Sequence, residues 1–200
     1  MKKPDGNKIY QKLYFETGIL RILGTLCDFP EKEFSLSDLA KEAEVAKANI
    51  GKILDILQKN DFVEITKLTK IWRIKANQKN WNFVKFKIVR NLDAMYHSGI
   101  IEFLADRYRN PKSIVLFGSF RRGEDISSSD VDIAVETDEV DEYKVLTLSH
   151  IAGLDNTEQF EKKIKRKIQI HLFSRKVVDI NVFNNIANGI VLYGFLVVGK

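Results

Sequence analysis

The sequence predicts an α+β protein in two units, and three observations lead there. Apolar residues recur at helical spacing as far as Leu57. Strand-like runs follow at Phe62–Thr66 and Ile71–Lys75, and others come later at Ser113–Phe117, Ser129–Val135 and Lys167–Phe173. A long helical stretch from Trp81 to Tyr108 separates the two groups. The expected organisation is a helix-and-hairpin unit over residues 1–78, a connector helix over 79–110, and a C-terminal unit of strands and helices over 111–200.

In the first unit, Leu13, Tyr14, Ile19, Leu20, Ile22, Leu23 and Leu26 predict a helix over Tyr10–Leu26, ended by Asp28-Phe29-Pro30. Ser35 followed by Asp38 has capping-box spacing, so a short helix of Leu36, Leu39, Ala40 and Ala43 is expected next. After the break at Glu44-Val45-Ala46, Ile50, Ile53, Leu54 and Leu57 fall on one helical face, with Lys47, Asn49, Lys52 and Lys59 elsewhere. Asn60-Asp61 turns the chain into the two strand-like runs, joined by Lys67-Leu68-Thr69-Lys70 as a hairpin.

Composition excludes several classes. A chain of 200 residues with 44% hydrophobic and 30% charged positions, 11 glycines and 3 prolines is neither collagen-like nor low-complexity. Cys27, the single cysteine, cannot form an internal disulfide; a reducing interior and a buried apolar role are expected for it. No signal-peptide pattern opens the chain, and the most apolar run, Ile190–Val198, falls well short of the ~20 residues that span a bilayer. A soluble, cytoplasmic protein is the expectation. The net charge of +5 is uneven: residues 1–100 carry 18 Lys/Arg against 12 Asp/Glu, and residues 101–200 carry 14 against 15. The basic half suits a polyanion, although a solvated surface has the same composition.

Three helices and a basic-tipped hairpin are the order of a winged helix-turn-helix, and Leu36–Val63 resembles the winged-helix DNA-binding domains of prokaryotic regulators. The resemblance implies that Lys47, Asn49 and Lys52 face duplex DNA from the third helix, with Lys67, Lys70 and Arg73 on the wing. Ala46 departs from the pattern, because a serine or threonine there usually caps the recognition helix. A helical packing or dimerisation module with solvated lysines is the other reading. Because winged helices often pair, a homodimer is expected.

In the connector, Ser98-Gly99 is a site for a kink or a division. Chemistry concentrates beyond it. The strand Ser113–Phe117 leads into Gly118-Ser119-Phe120-Arg121-Arg122-Gly123-Glu124, where glycine allows close approach of a ligand, Ser119 offers a hydroxyl, and the arginines favour phosphate. Asp130 and Asp132 alternate on the next strand and share a face. Two such carboxylates repel unless a cation lies between them. Mg2+ or Mn2+ suits them, with the remaining ligands coming from substrate phosphates.

This pattern, Gly118-Ser119 with Asp130-Val131-Asp132 at fixed spacing, strongly resembles the nucleotidyltransferase domains of the polymerase-beta superfamily. Phe117–Val135 is similar to the minimal branch found alone or in toxin–antitoxin pairs, and Asn185–Gly194 is similar to the closing helix of those domains. The resemblance implies a mixed sheet flanked by helices, metal on Asp130 and Asp132, nucleotide phosphates on Gly118 and Ser119, and added charge from Arg122. It also implies a third carboxylate on a later strand. The matching strand, Lys167–Phe173, instead offers Gln169 and His171; His171 is a candidate base, or a strand histidine held by hydrogen bonds.

Lys162–Lys167 carries five basic residues, for triphosphate, RNA or an acidic partner, or as a solvated helix end. The acidic run Asp138–Glu142 predicts the start of an exposed helix. Two functions follow. One is a magnesium-dependent transfer of a nucleoside monophosphate from a triphosphate, ATP first among them, to a hydroxyl on a protein or small molecule. The other is a DNA-binding regulator, or antitoxin-like protein, whose nucleotidyltransferase domain senses a nucleotide without turning it over.

Overall fold

A computed structural model describes residues 17–68 and 71–199, and the chain divides into two compact units between Phe86 and Lys87. The predicted Tyr10–Glu16 portion of the first helix and the hairpin residues Thr69 and Lys70 lie outside the described residues.

In the first unit, α1 (Gly18–Asp28) starts at Thr17, whose hydroxyl accepts from the Leu20 amide, and ends just before Pro30. The helix α2 (Leu36–Glu42) is capped by Ser35: its hydroxyl accepts from the Asp38 amide at 3.1 Å and donates to the Asp38 carboxylate at 2.7 Å. Glu44, at φ +52°, makes the break before α3 (Lys47–Lys59). No side chain caps α3, because Ala46 stands at its N-cap. Strands β1 (Val63–Leu68) and β2 (Ile71–Ala76) pair antiparallel from Val63↔Ala76 to Leu68↔Ile71. Ile22, Leu26, Leu39, Ile50, Leu54 and Ile74 fill the core, so helical spacing and strand alternation converge on one apolar centre.

The connector region forms two helices, α4 (Trp81–Ser98) and α5 (Ile100–Arg107), and the division between units falls inside α4. Gly99, at φ +85°, separates them, and the Ser98 hydroxyl accepts from the Ile100 amide at 3.2 Å. The second unit then builds β3 (Ser113–Phe117), α6 (Gly118–Arg122), β4 (Asp130–Glu136), β5 (Lys144–Thr147), α7 (Ser149–Ala152), α8 (Leu154–Ile164), β6 (Lys167–Phe173), α9 (Ile180–Ala187) and β7 (Ile190–Gly194). Its sheet order is β5-β6-β4-β3-β7, with β4 and β6 parallel and the other pairs antiparallel.

Alternation sorts the two faces of this sheet. Val131, Ile133, Leu116, Ile168 and Ile170 join Ile101, Leu104 and Ile164 in one core. Val115, Ala134 and Phe173 face the other way and pack with Phe183 and Ile186 of α9. That second face is apolar at one end and carries the predicted carboxylates at the other.

Two local expectations change. Asp138–Glu142 forms no helix; it is an irregular link into β5, an edge strand completed by antiparallel pairing with β6. Of Asn185–Gly194, only the first three residues are helical, and Ile190–Gly194 is β7 on the open edge of β3. Gly189 makes this turn possible, since a Cβ there would lie 2.6 Å from the Leu116 carbonyl oxygen.

Candidate active site

The site starts where β3 stops. Gly118 follows at φ +74°, and a Cβ on it would lie 2.1 Å from the Asp132 Oδ2. Both the backbone conformation and the space require glycine, and the α6 turn therefore comes directly against the carboxylate. The β3–β4 register pairs Phe117 with Asp132, which sets that approach. Asp130 and Asp132 lie on one face of β4 and both are half-buried, so they remain open to a ligand.

The neighbouring strand decides what surrounds them. The parallel register pairs Asp130 with Lys167, Asp132 with Gln169 and Ala134 with His171. Lys167, Gln169 and His171 consequently share the carboxylates' face. Gln169 Nε2 donates to Asp130 Oδ2 at 2.6 Å, and His171 Nε2 lies 3.2 Å from Asp132 Oδ1. The Tyr143 hydroxyl bonds the other ring nitrogen, Nδ1. One proton arrangement satisfies all three groups: Tyr143 O–H donates to Nδ1, and Nε2–H donates to Asp132. The Phe117 ring stands edge-on to the imidazole at 4.8 Å. Burial pushes the Tyr143 phenol above its ordinary value, and the Asp132 charge adds to the rise.

A divalent cation fits this donor set. The carboxylates are hard, half-exposed oxygen donors on one face, and the missing side chain at Gly118 lets the Asp132 carboxylate lie directly against the turn that would present phosphate oxygens. Among the described residues no group of three or more His, Cys, Asp and Glu side chains is arranged to hold a metal. A cation here would rest on Asp130 and Asp132 and complete its shell from phosphate and water.

The other predicted residues separate. Ser119 is half-buried in the turn, whereas Arg122 is exposed and its Nε donates to Glu124 at 2.7 Å. In the first unit Lys47, Asn49 and Lys52 are exposed on α3. Lys67 lies over the Trp72 ring at 4.1 Å, and Arg73 is 3.9 Å from Glu33. Lys70 lies outside the described residues.

Sequence reasoning missed the network beneath α6. Asp125 is fully buried and receives Lys87 at 3.0 Å and Asn91 at 2.8 Å on Oδ1, and Arg166 at 2.8 and 3.1 Å on Oδ2. Asn91 also donates to the Phe120 carbonyl at 2.9 Å, fastening α6 to α4. Within the basic run, Arg166 therefore turns inward while Lys167 is exposed. Asp125 follows Glu124 in a loop that runs on through Ile126 into three serines, and Lys87 falls in a helix that also carries Lys85 and Arg90. Neither carries a local mark of burial. Tyr143 was invisible for a similar reason, since its partner comes from a strand far along the chain.

No curated protein matches the chain. Among solved structures it is similar to the heme sensor protein PefR from Streptococcus agalactiae, in complex with heme, at 15% identity and a TM-score of 0.33 over 53% of this chain and 94% of that one. A likeness that low carries no argument. Residues 97–188, which contain the Gly118 turn, both carboxylates and all of β6, match the family model of the nucleotidyltransferase domain.

Proposed function

We propose that the second unit transfers a nucleoside monophosphate from a nucleoside triphosphate, ATP first among candidates, to a hydroxyl acceptor, with release of pyrophosphate. The approach of the Gly118 turn to Asp132, inside the segment matched as a nucleotidyltransferase domain, carries this reading. Gly118 and Ser119 hold phosphate oxygens: glycine brings the backbone close, and Ser119 contributes a hydroxyl. Asp130 and Asp132 hold Mg2+ or Mn2+, which when bound polarises the phosphate and screens its charge. Gln169 and the Tyr143–His171 pair keep the two carboxylates oriented by donating to them. His171 is then a positioning group more than a base, because both of its nitrogens are engaged. Arg122 adds charge at the rim only when it leaves Glu124.

The test is a labelled-triphosphate assay with candidate protein and small-molecule acceptors, run beside Asp130→Asn and Asp132→Asn. Label transfer by the wild type and none by either variant supports transfer. No transfer, with wild type and variants binding nucleotide equally, rejects it.

A second reading is favoured by one specific observation: the position opposite Asp132 on β6 holds Gln169, a neutral donor, and no carboxylate. On this reading the unit senses a nucleotide without turnover, and the first unit acts as a winged helix on duplex DNA through Lys47, Asn49 and Lys52, with Lys67, Lys70 and Arg73 on the wing. Calorimetry and duplex titration at several salt concentrations separate the two. Nucleotide binding without turnover, with duplex affinity that falls steeply with salt and is lost in Lys47→Glu/Lys52→Glu, supports sensing. Absence of duplex binding removes it.

A further inference from the structure

The β4–β6–β5 pairing draws a row that ends in a hydroxyl. Asp132 pairs with Gln169 across the parallel strands, and Gln169 pairs with Thr147 across the antiparallel ones. Residues paired in this way share a face, so Thr147 stands on the carboxylates' side of the sheet, two strand spacings or about 10 Å from Asp132 in Cα terms. Thr147 is exposed at the end of β5 and has a base in contact: its Oγ1 lies 2.7 Å from His150 Nδ1 and 2.9 Å from the Ser149 hydroxyl. With the imidazole proton on Nε2, Thr147 donates to Nδ1 and accepts from Ser149. A nucleophile with its own base in hydrogen-bond contact is the arrangement that hydroxyl activation requires. His171, by contrast, is held between Tyr143 and Asp132.

From this row we infer that Thr147 is itself an acceptor, and that the chain nucleotidylylates its own Thr147 from a bound nucleoside triphosphate. In that step Thr147 Oγ1 forms a bond to the α-phosphorus and the bond from that phosphorus to the bridging oxygen of the β-phosphate breaks. The hydroxyl proton passes to His150 Nδ1, and pyrophosphate leaves. The inference rests on the triphosphate binding proposed above and names the hydroxyl that the proposal leaves open. Modification fills the ligand face at the edge of the sheet, so a modified chain would bind the next triphosphate more weakly.

The experiment is intact-mass spectrometry of the full chain after incubation with ATP and Mg2+ or Mn2+, followed by peptide mapping, with ATP binding measured in parallel. Wild type is expected to gain one nucleoside monophosphate at Thr147. Thr147→Val is expected to bind ATP but remain unmodified, Thr147→Ser to be modified, and His150→Gln to react about a hundredfold more slowly, the usual scale of a lost general base. ATP binding with no adduct, or an adduct at another residue that persists in Thr147→Val, overturns the inference and leaves triphosphate binding standing. Failure of the wild type to bind ATP at all overturns both. If the contacts among Thr147, Ser149 and His150 merely shape the turn into α7, the variants shift stability while no adduct forms in any of them.

Discussion

Replacing Asp125 by alanine removes a carboxylate shared by Lys87, Asn91 and Arg166 in the buried network, and the size of the effect follows from what remains. Lys87 and Arg166 are 0% and 6% exposed, so neither charge regains water without local opening. Breaking a buried pair from one side costs roughly 3–5 kcal/mol, chiefly the penalty of the charge left behind. Both cations keep backbone acceptors, Lys87 at the Asp125 carbonyl and Arg166 at that of Lys165, which places the expected loss near the lower bound, about 3 kcal/mol. For a unit of this size that is a fall of roughly 12 °C in melting temperature. Thermal unfolding followed by circular dichroism, with hydrogen exchange read on the β6 and α6 amides, makes the measurement. The triple variant Lys87→Met/Asp125→Leu/Arg166→Met should recover most of the loss, because apolar groups of similar volume leave no buried charge. A fall of less than about 1 kcal/mol in Asp125→Ala, or no recovery in the triple variant, would refute the reasoning.

Other expectations test separate parts of the molecule. Gly118→Ala places a Cβ against the Asp132 carboxylate at a positive φ; triphosphate affinity should fall more than about tenfold in calorimetry, while Gly51→Ala, in open space on α3, should leave it unchanged. Ala46→Ser supplies the missing cap of α3 and should stabilise the first unit by about 0.5–1 kcal/mol, and Ser35→Ala should cost about 1 kcal/mol, both read from denaturant midpoints. The raised pKa of Tyr143 means that the unfolded phenol ionises first as pH rises; its contribution is present below pH 10 and lost as pH climbs through the higher folded value. Phenolate absorbance should show Tyr143 ionising late together with Tyr108, whose phenol burial also raises, and Tyr143→Phe should remove one of the two late components.

Legibility tracked the range over which each signal acts. Helical spacing at Ile50, Leu54 and Leu57 was readable because the residues that share a face lie within two turns of one another. Ser35, too, could be read as a cap from a neighbour three residues away. The run Asp138–Glu142 misled, because acidic residues suit a helix start but the strand that follows exists only through pairing with β6. Gly189 ended α9 for a reason not local to it, the approach of the β3 backbone. Arg122 and Arg166 look alike in the sequence, yet one pairs with Glu124 at the surface and the other lies under α6.

The sequence by itself determined that Asp130 and Asp132 share one face of a strand and that a glycine turn precedes them, since alternation and glycine's freedom are properties of a few adjacent residues. Only the tertiary structure decided what those carboxylates meet. The β4–β6 register brings Gln169 and His171 to them, the β5–β6 register places Thr147 in the same row, and packing of α4 under α6 buries Asp125 with Lys87 and Arg166. Each is a pairing between segments distant in the chain. A register shift of one residue would move Gln169, His171 and Thr147 to the opposite face, and the register is set by burial of the whole sheet, not by any local run.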